Sequence, residues 1–115
     1  RLYLETGETA KAKQTFEEIL AADPTSLVAM KSLARLAESS KDPNALQLWQ
    51  RYASATKPGD APWYDGQYEV ARFVLAGGDA KRACEILTQV KSAIMGLGDA
   101  DLRKKLGELY TQACG

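Results

Sequence analysis

A small residue followed four positions later by a large apolar residue recurs three times in this sequence, at Ala12 and Phe16, Ala45 and Trp49, and Ala83 and Leu87. Positions four apart lie on the same face of an α-helix. Each pair therefore predicts a helix with one buried face. The recurrence also indicates that helical units of similar length pack side by side, because one such unit cannot bury its own apolar face.

The first unit of this pattern is bounded by a glycine and a proline. Gly7 predicts the end of a helix over residues 1–6, because glycine readily adopts the left-handed backbone that ends helices. A second helix is expected over residues 9–22, and Pro24 follows it as a residue that cannot continue a helix. The buried face of this second helix is predicted to include Ile19.

Five further helices are expected after Pro24, so the chain is predicted to hold about seven helical segments and no strand. They are expected at about residues 27–38, 43–56, 62–76, 80–94 and 99–113. Ser, Thr and Asp residues that precede a helix accept hydrogen bonds from its first backbone N–H groups. The predicted capping residues are Thr25 or Ser26, Asp42, Asp79 and Asp99.

Composition argues against several classes of function. Lys plus Arg equals Asp plus Glu at 15 each, so no net charge draws the chain onto nucleic acid. No apolar run has the length of a membrane span, and the absence of histidine removes the commonest general base and metal ligand. Gly77 and Gly78 lack the spacing of a phosphate-binding loop. The sequence therefore predicts no enzyme activity, cofactor, metal, nucleic-acid partner or membrane insertion.

The two cysteines, Cys84 and Cys114, form no CxxC pair, which argues against a zinc site. They open and close antiparallel helices, so a disulfide is expected only if the protein is extracytoplasmic. Free or buried thiols are the favoured prediction. The chain begins inside a predicted helix at Arg1, which indicates a soluble fragment of a longer protein, and a cytoplasmic or periplasmic location both stay open.

Three sets of residues follow the same order along the chain. The first is Tyr3, Gly7, Ala12, Phe16 and Pro24. The second is Leu33, Ala34, Ala45 and Trp49, with Lys41 in place of a turn glycine, and the third is Val70, Ala71, Gly78, Ala83 and Leu87. This order resembles the tetratricopeptide repeat family. Residues 63–109 also look like the C-terminal part of bacterial members of the family, which implies a bacterial source.

The resemblance implies an all-α fold, a right-handed α-solenoid of antiparallel helical hairpins that ends in a capping helix. In this interpretation residues 1–115 form one domain. The domain is divided into a partial first repeat at 1–25, a second repeat at 26–58, a third repeat at 60–94 and a capping helix at 99–114.

The resemblance also implies a concave groove, lined by the first helix of each hairpin, in which partners bind. Aligning the repeats places Arg1, Arg35 and Arg72 in one column, with Lys31 and Tyr68 one helical turn earlier. Arginine binds carboxylates through paired hydrogen bonds, so the expected partner is an acidic or carboxylate-bearing peptide or protein. The alternative is that these side chains are ordinary solvated faces of amphipathic helices.

The expected function is that of a protein interaction scaffold that binds a partner segment in this groove. One alternative is structural: the chain forms the C-terminal end of a longer repeat array and mediates docking within its own chain or self-association. Another alternative is an accessory domain of an enzyme whose catalytic residues lie elsewhere.

Overall fold

The computed structural model describes residues 2–94 and 97–115, with side chains described from residue 10 onward in those ranges. All regular structure in these ranges is helical, which confirms the all-α prediction. The chain divides into two compact units, Arg1–Ala55 and Thr56–Gly115. The helices are α1 (Leu2–Ala22), α2 (Leu27–Ser39), α3 (Ala45–Ser54), α4 (Ala61–Ala76), α5 (Ala80–Ala93) and α6 (Ala100–Cys114).

The prediction that a helix ends at Gly7 is wrong, because α1 continues from Leu2 to Ala22 without a break. A single glycine inside a helix costs only about 1 kcal/mol relative to alanine. A turn also requires a following residue that caps the next helix. Asp79 has this role after Gly78, whereas Glu8 follows Gly7. The described residues therefore contain six helices rather than seven helical segments.

The buried face of α1 also differs from the prediction. Ile19 is 40% exposed, and Leu20 is buried in its place at 8% exposure. Phe16 and Ala12 are half-buried. The face that packs against α2 thus follows a spacing of four residues from Ala12 through Phe16 to Leu20, rather than the alternating four and three that Ile19 requires.

The hairpins α2–α3 and α4–α5 bury equivalent positions. In the first helix of each hairpin these are Ala29, Leu33, Ala34 and Ala37 in α2, and Gly66, Val70, Ala71 and Val74 in α4. In the second helix they are Ala45, Trp49 and Tyr52 in α3, and Ala83, Leu87 and Val90 in α5. The predicted small-then-large pairs of α3 and α5 are confirmed as core positions, each at most 4% exposed.

Both hairpins turn through the same backbone motif. Lys41 lies in the left-handed region at φ 56°. Its N–H donates to the carbonyl of Glu38 at 3.1 Å, and the N–H of Asp42 donates to the carbonyl of Ala37 at 2.8 Å. These two bonds define a Schellman motif. Gly78, at φ 96°, occupies the equivalent position with the equivalent pair of bonds, so Lys41 stands where the other hairpin has its turn glycine.

We expect Lys41→Gly to raise the free energy of unfolding by about 0.5 to 1 kcal/mol. A left-handed backbone costs a residue with a Cβ about 1 to 2 kcal/mol, partly offset by the greater freedom of glycine in the unfolded chain. Gly78→Ala should lower stability by a similar amount, although a Cβ there would meet no atom within 4 Å. Urea denaturation measures both changes. Lys41→Ala is the control, and an equal gain from alanine would show that the lysine side chain, not the backbone, is responsible.

Three helices begin with the side-chain cap that the sequence predicts, at Ser26, Asp79 and Asp99. Each cap accepts the N–H of the third residue after it, at 3.2, 3.0 and 3.0 Å respectively. The exception is α3, where the Asp42 carboxylate accepts the N–H of Asn44 at 2.9 Å and the helix begins only at Ala45. The starts of α2, α5 and α6 are therefore fixed by local bonds from a side chain to the backbone, whereas α3 and α4 begin without a side-chain cap.

The second unit closes around a core shared by its three helices. Helix α6 packs against both α4 and α5. The Tyr64 side chain is 1% exposed, and its hydroxyl donates to the carbonyl of Ala93 at 2.6 Å, which ties the start of α4 to the end of α5. The core residues are Tyr64, Ala71, Leu87, Val90, Leu97, Leu106 and Leu109.

The favoured prediction of free thiols is wrong, because Cys84 and Cys114 form a disulfide. Their Cα atoms lie 5.0 Å apart, within the range that a disulfide spans. Cys84 lies near the start of α5 and Cys114 is the last residue of α6. The bond therefore joins the ends of two antiparallel helices opposite the turn that connects them.

Candidate functional site

Four of the five predicted site residues lie on two helices, and the fifth, Arg1, lies outside the described residues. Lys31 and Arg35 are one turn apart on α2 in the first unit. Tyr68 and Arg72 are one turn apart on α4 in the second unit. The structure thus places one basic pair and one tyrosine-arginine pair on equivalent stretches of the two hairpins.

Arg35 is held at the surface by an aromatic ring and a carboxylate. Its guanidinium carbon lies 4.9 Å from the centroid of the Trp49 ring, a cation–π arrangement between α2 and α3. Its Nη1 lies 3.6 Å from Oε1 of Glu38, the residue one turn later. The Arg35 side chain is still 51% exposed. The charge is therefore positioned by its neighbours and remains accessible to a ligand.

Arg72 is also held by a carboxylate and an aromatic ring, but both belong to its own helix and the carboxylate is buried. Its Nε and Nη2 donate to Oε1 of Glu69 at 2.9 and 2.6 Å, and its guanidinium carbon lies 4.8 Å from the Phe73 ring centroid. Glu69 is only 2% exposed, the one buried charged residue among the described side chains. The Arg72 side chain is 33% exposed. This arginine neutralises a buried carboxylate and also reaches the surface.

The two pairs predict different costs for removing equivalent arginines. Arg72→Met should lower the free energy of unfolding by about 2 kcal/mol, because Glu69 would lose a charged partner in the interior. Arg35→Met should cost less than about 1 kcal/mol, because its ion pair lies at the surface, with Arg35 51% and Glu38 31% exposed. Chemical denaturation monitored by circular dichroism measures both.

The double variant Glu69→Gln/Arg72→Met tests the cause of this cost. Removing both charges together should recover at least half of the stability lost in Arg72→Met, because no buried charge is then left without that partner. Equal stability of the single and double variants would show that the ion pair is not the reason for the loss.

A recess of about 240 Å³ adjoins Tyr68 and Arg72 in the second unit. Its lining residues are Tyr68, Arg72, Lys105, Glu108, Leu109 and Gln112. The contribution of α6, and in particular of Lys105 and Gln112, was not predicted from the sequence. The spacing of these residues could have indicated this contribution, because positions 105, 108, 109 and 112 fall on one helix face. The recess combines two cations, a carboxylate and an amide.

A second recess, of about 330 Å³, lies in the first unit. It is bordered by polar residues such as Lys13 and Glu17 of α1 and by apolar residues such as Leu36 and Leu48. Neither Lys31 nor Arg35 lines it. The predicted basic residues of the first unit therefore lie on the surface of α2, Lys31 half-buried and Arg35 exposed, and outside this recess.

The described residues contain no group of three His, Cys, Asp or Glu side chains suited to hold a metal ion. None of the described helices has both the length and the hydropathy that a membrane span requires. Comparison with models of known protein families and with curated proteins found no match to the chain.

Proposed function

We propose that the chain is a protein interaction module that binds acidic segments of a partner through a partly exposed face of α2 in the first unit and a partly exposed face of α4 in the second. The contacts in the first unit come from Lys31 and Arg35. In the second unit they come from Tyr68 and Arg72, with Lys105 of α6 at the edge of the adjoining recess. The partner supplies carboxylates, from Asp and Glu side chains or from a chain terminus.

The observation that carries the proposal is the shared way in which Arg35 and Arg72 are held. Each guanidinium lies within 5 Å of an aromatic ring centroid and is paired with a glutamate three residues away on the same helix. A side chain that is already fixed loses less conformational freedom when it binds a ligand. Arginine also offers several N–H groups, so a guanidinium in one ion pair can still contact a second carboxylate.

The repeated hairpins support a relation to tetratricopeptide proteins. Helices α2–α3 and α4–α5 share buried positions and turn geometry, and small residues allow close helix packing at Ala34 and Ala71, both 0% exposed. We propose that they stack as members of a right-handed superhelix closed by α6, in a bacterial protein. The predicted partial first repeat at 1–25 departs from the pattern, since the single helix α1 replaces the two helical segments expected there.

The test is binding of capped, extended peptides rich in Asp and Glu, compared with the same peptides carrying Asn and Gln. We expect binding only to the acidic set, weakening as salt is raised. Arg35→Glu in the first unit and Lys105→Glu in the second should each lower affinity about fivefold or more. Charge reversal of Arg72 is avoided, because it would place a second acid beside the buried Glu69.

Arg82→Glu is the matched control, since Arg82 is exposed in the first turn of α5, where a glutamate is well tolerated. It should leave peptide affinity unchanged. Equal binding of the neutral peptides, or no effect of Arg35→Glu, would contradict the proposal. Self-association measured by light scattering, without binding of any peptide, would favour the structural role at the end of a repeat array.

The disulfide supports a location in an oxidising compartment. Disulfides persist in secreted and periplasmic proteins and are rare where thiol reductants are abundant. Cys84 and Cys114 are half-buried rather than sealed in the core, so cellular reductants would reach them. Alkylation of the protein in intact cells of its source should leave both cysteines unmodified, and labelling of both would place the protein in a reducing compartment.

A further inference from the structure

The second unit contains an apolar groove between α5 and α6. Its volume is about 190 Å³. It is separate from the recess beside Arg72, which involves the face of α6 that bears Lys105 and Gln112. The residues that line the groove are Leu87, Val90, Lys91, Ile94, Leu106, Gly107 and Tyr110.

The size of the groove indicates what can enter it. Pockets that bind small molecules and cofactors usually measure about 300 to 1,000 Å³, so this groove has room for one or two apolar side chains instead. Gly107 borders the groove on an exposed face of α6 and leaves it open, because a Cβ at that position would meet no atom within 4 Å. Glycine inside a helix costs about 1 kcal/mol relative to alanine, and here its absence of a side chain leaves the buried residues of the groove, Leu87, Val90 and Leu106, accessible from the α6 side.

The mouth of the groove is basic. The ammonium group of Lys91 lies 4.5 Å from the centroid of the Tyr110 ring, which holds the charge at the edge of the apolar floor. Arg103 is exposed one turn before Gly107 on the same face of α6. No acidic residue belongs to the lining. An apolar ligand group flanked by carboxylates would therefore find complementary charge at this mouth.

The two walls of the groove are fixed at both ends. The Cys84–Cys114 disulfide joins α5 to α6 at one end. At the other end Asp99 caps α6, and Leu97 in the preceding connection is buried at 4% exposure. A groove that is already formed binds with less loss of conformational freedom than one that has to open.

We propose that this groove binds a segment of another protein in which one or two leucine-sized side chains lie between acidic residues. The apolar side chains fill the space over Gly107, and the flanking carboxylates contact Lys91 and Arg103. This site is additional to the proposed peptide-binding faces of α2 and α4. It lies between α5 and α6, and it uses a different face of α6 from the one that bears Lys105.

Titration monitored by NMR of the ¹⁵N-labelled protein tests the proposal with three capped peptides. The first has two leucines between acidic residues, the second has the same leucines between lysines, and the third has two alanines between acidic residues. We expect the first peptide to shift the amide signals of Gly107 and Tyr110. The other two should bind at least tenfold more weakly, because each lacks either the charge or the apolar group.

Gly107→Leu fills the groove and should weaken binding of the acidic leucine peptide at least tenfold. The same change should leave the thermal midpoint unchanged or higher, because leucine is the better helix former, so loss of binding cannot be confused with loss of folding. Ser92→Leu, on an exposed face of α5 that does not line the groove, is the matched control and should bind normally. Lys91→Glu should weaken binding at least fivefold, whereas Lys81→Glu, exposed near the start of α5, should not.

Failure of all three peptides to shift Gly107 would overturn the proposal, as would equal affinity for the lysine-flanked peptide or shifts that survive Gly107→Leu. A dimer that Gly107→Leu converts to a monomer would show instead that a second copy of the chain occupies the groove. Arg35→Glu should leave these shifts unchanged, which separates failure of this site from failure of the acidic-peptide faces.

Discussion

Trp49→Ala is expected to lower the free energy of unfolding by about 4 kcal/mol. Trp49 is 0% exposed and occupies the large-residue position of the α2–α3 hairpin. Tyr52 contacts it edge-on at a centroid distance of 5.9 Å, and Arg35 lies over its ring. Truncating a large buried aromatic removes its transfer free energy and leaves a cavity, which together cost about 3 to 5 kcal/mol. Chemical denaturation with hydrogen exchange should assign the loss to α2 and α3.

Two further tryptophan variants sharpen this test. Trp63→Ala makes the same change at a half-buried tryptophan of α4 and should cost less, about 2 kcal/mol. Trp49→Phe should cost only about 1 kcal/mol, because the buried indole N–H of Trp49 has no hydrogen-bond partner and phenylalanine removes that unsatisfied donor. If Trp49→Ala and Trp63→Ala cost the same, Trp49 is not the packing centre that its burial indicates.

Removal of the disulfide by Cys84→Ser/Cys114→Ser should lower the free energy of unfolding by about 3 kcal/mol. The two cysteines are separated by 30 positions, and closing a loop of this length restricts the unfolded chain by roughly that amount. The thermal midpoint should fall by roughly 10 °C or more.

A reducing agent should lower the midpoint of the unmodified protein by a similar amount and leave the serine variant unaffected. Intact-mass measurement before and after reduction confirms the redox state in each experiment. If the midpoint of the unmodified protein does not respond after the thiols have been shown to be free, the bond contributes nothing to stability.

Features that depend on neighbouring residues were predictable from the sequence. The caps at Ser26, Asp79 and Asp99 act on backbone groups three residues away, so the local sequence holds all the required information. The Lys41 turn was also recoverable, because its position relative to Ala34 matches that of Gly78 relative to Ala71. The repeat pattern predicts a turn at Lys41, although lysine does not by itself indicate a left-handed backbone.

Features that depend on a balance between alternatives were not predictable. Gly7 is compatible with both a helix interior and a helix end, and the difference between them is only about 1 kcal/mol. The disulfide depends on how closely α6 packs against α5 and on the redox environment. The residues around Cys84 and Cys114 specify neither. At Gly7 and at the two cysteines the local sequence is compatible with two states almost equally, and the structure adopts the state that was not predicted.

The sequence identified the residues of the candidate site, but it did not predict which side chains surround them in the structure. The alignment of repeats identified Arg35 and Arg72 as equivalent, and the structure gives each an aromatic and a carboxylate neighbour, although these neighbours occupy different positions in the two hairpins. The burial of Glu69 was missed, because its position borders the apolar face of α4 and its burial depends on tertiary packing around an ion pair. The role of α6 was missed because contact between helices distant in sequence is not encoded in the pattern of either one.

The Cys84–Cys114 bond also determines how the molecule would respond to tension. A force transmitted along the backbone would pass from α5 directly to the end of α6 through the sulfur atoms, so the intervening segment would carry no load and could not be drawn out. The fully stretched oxidised chain would be shorter than the reduced chain by roughly 100 Å.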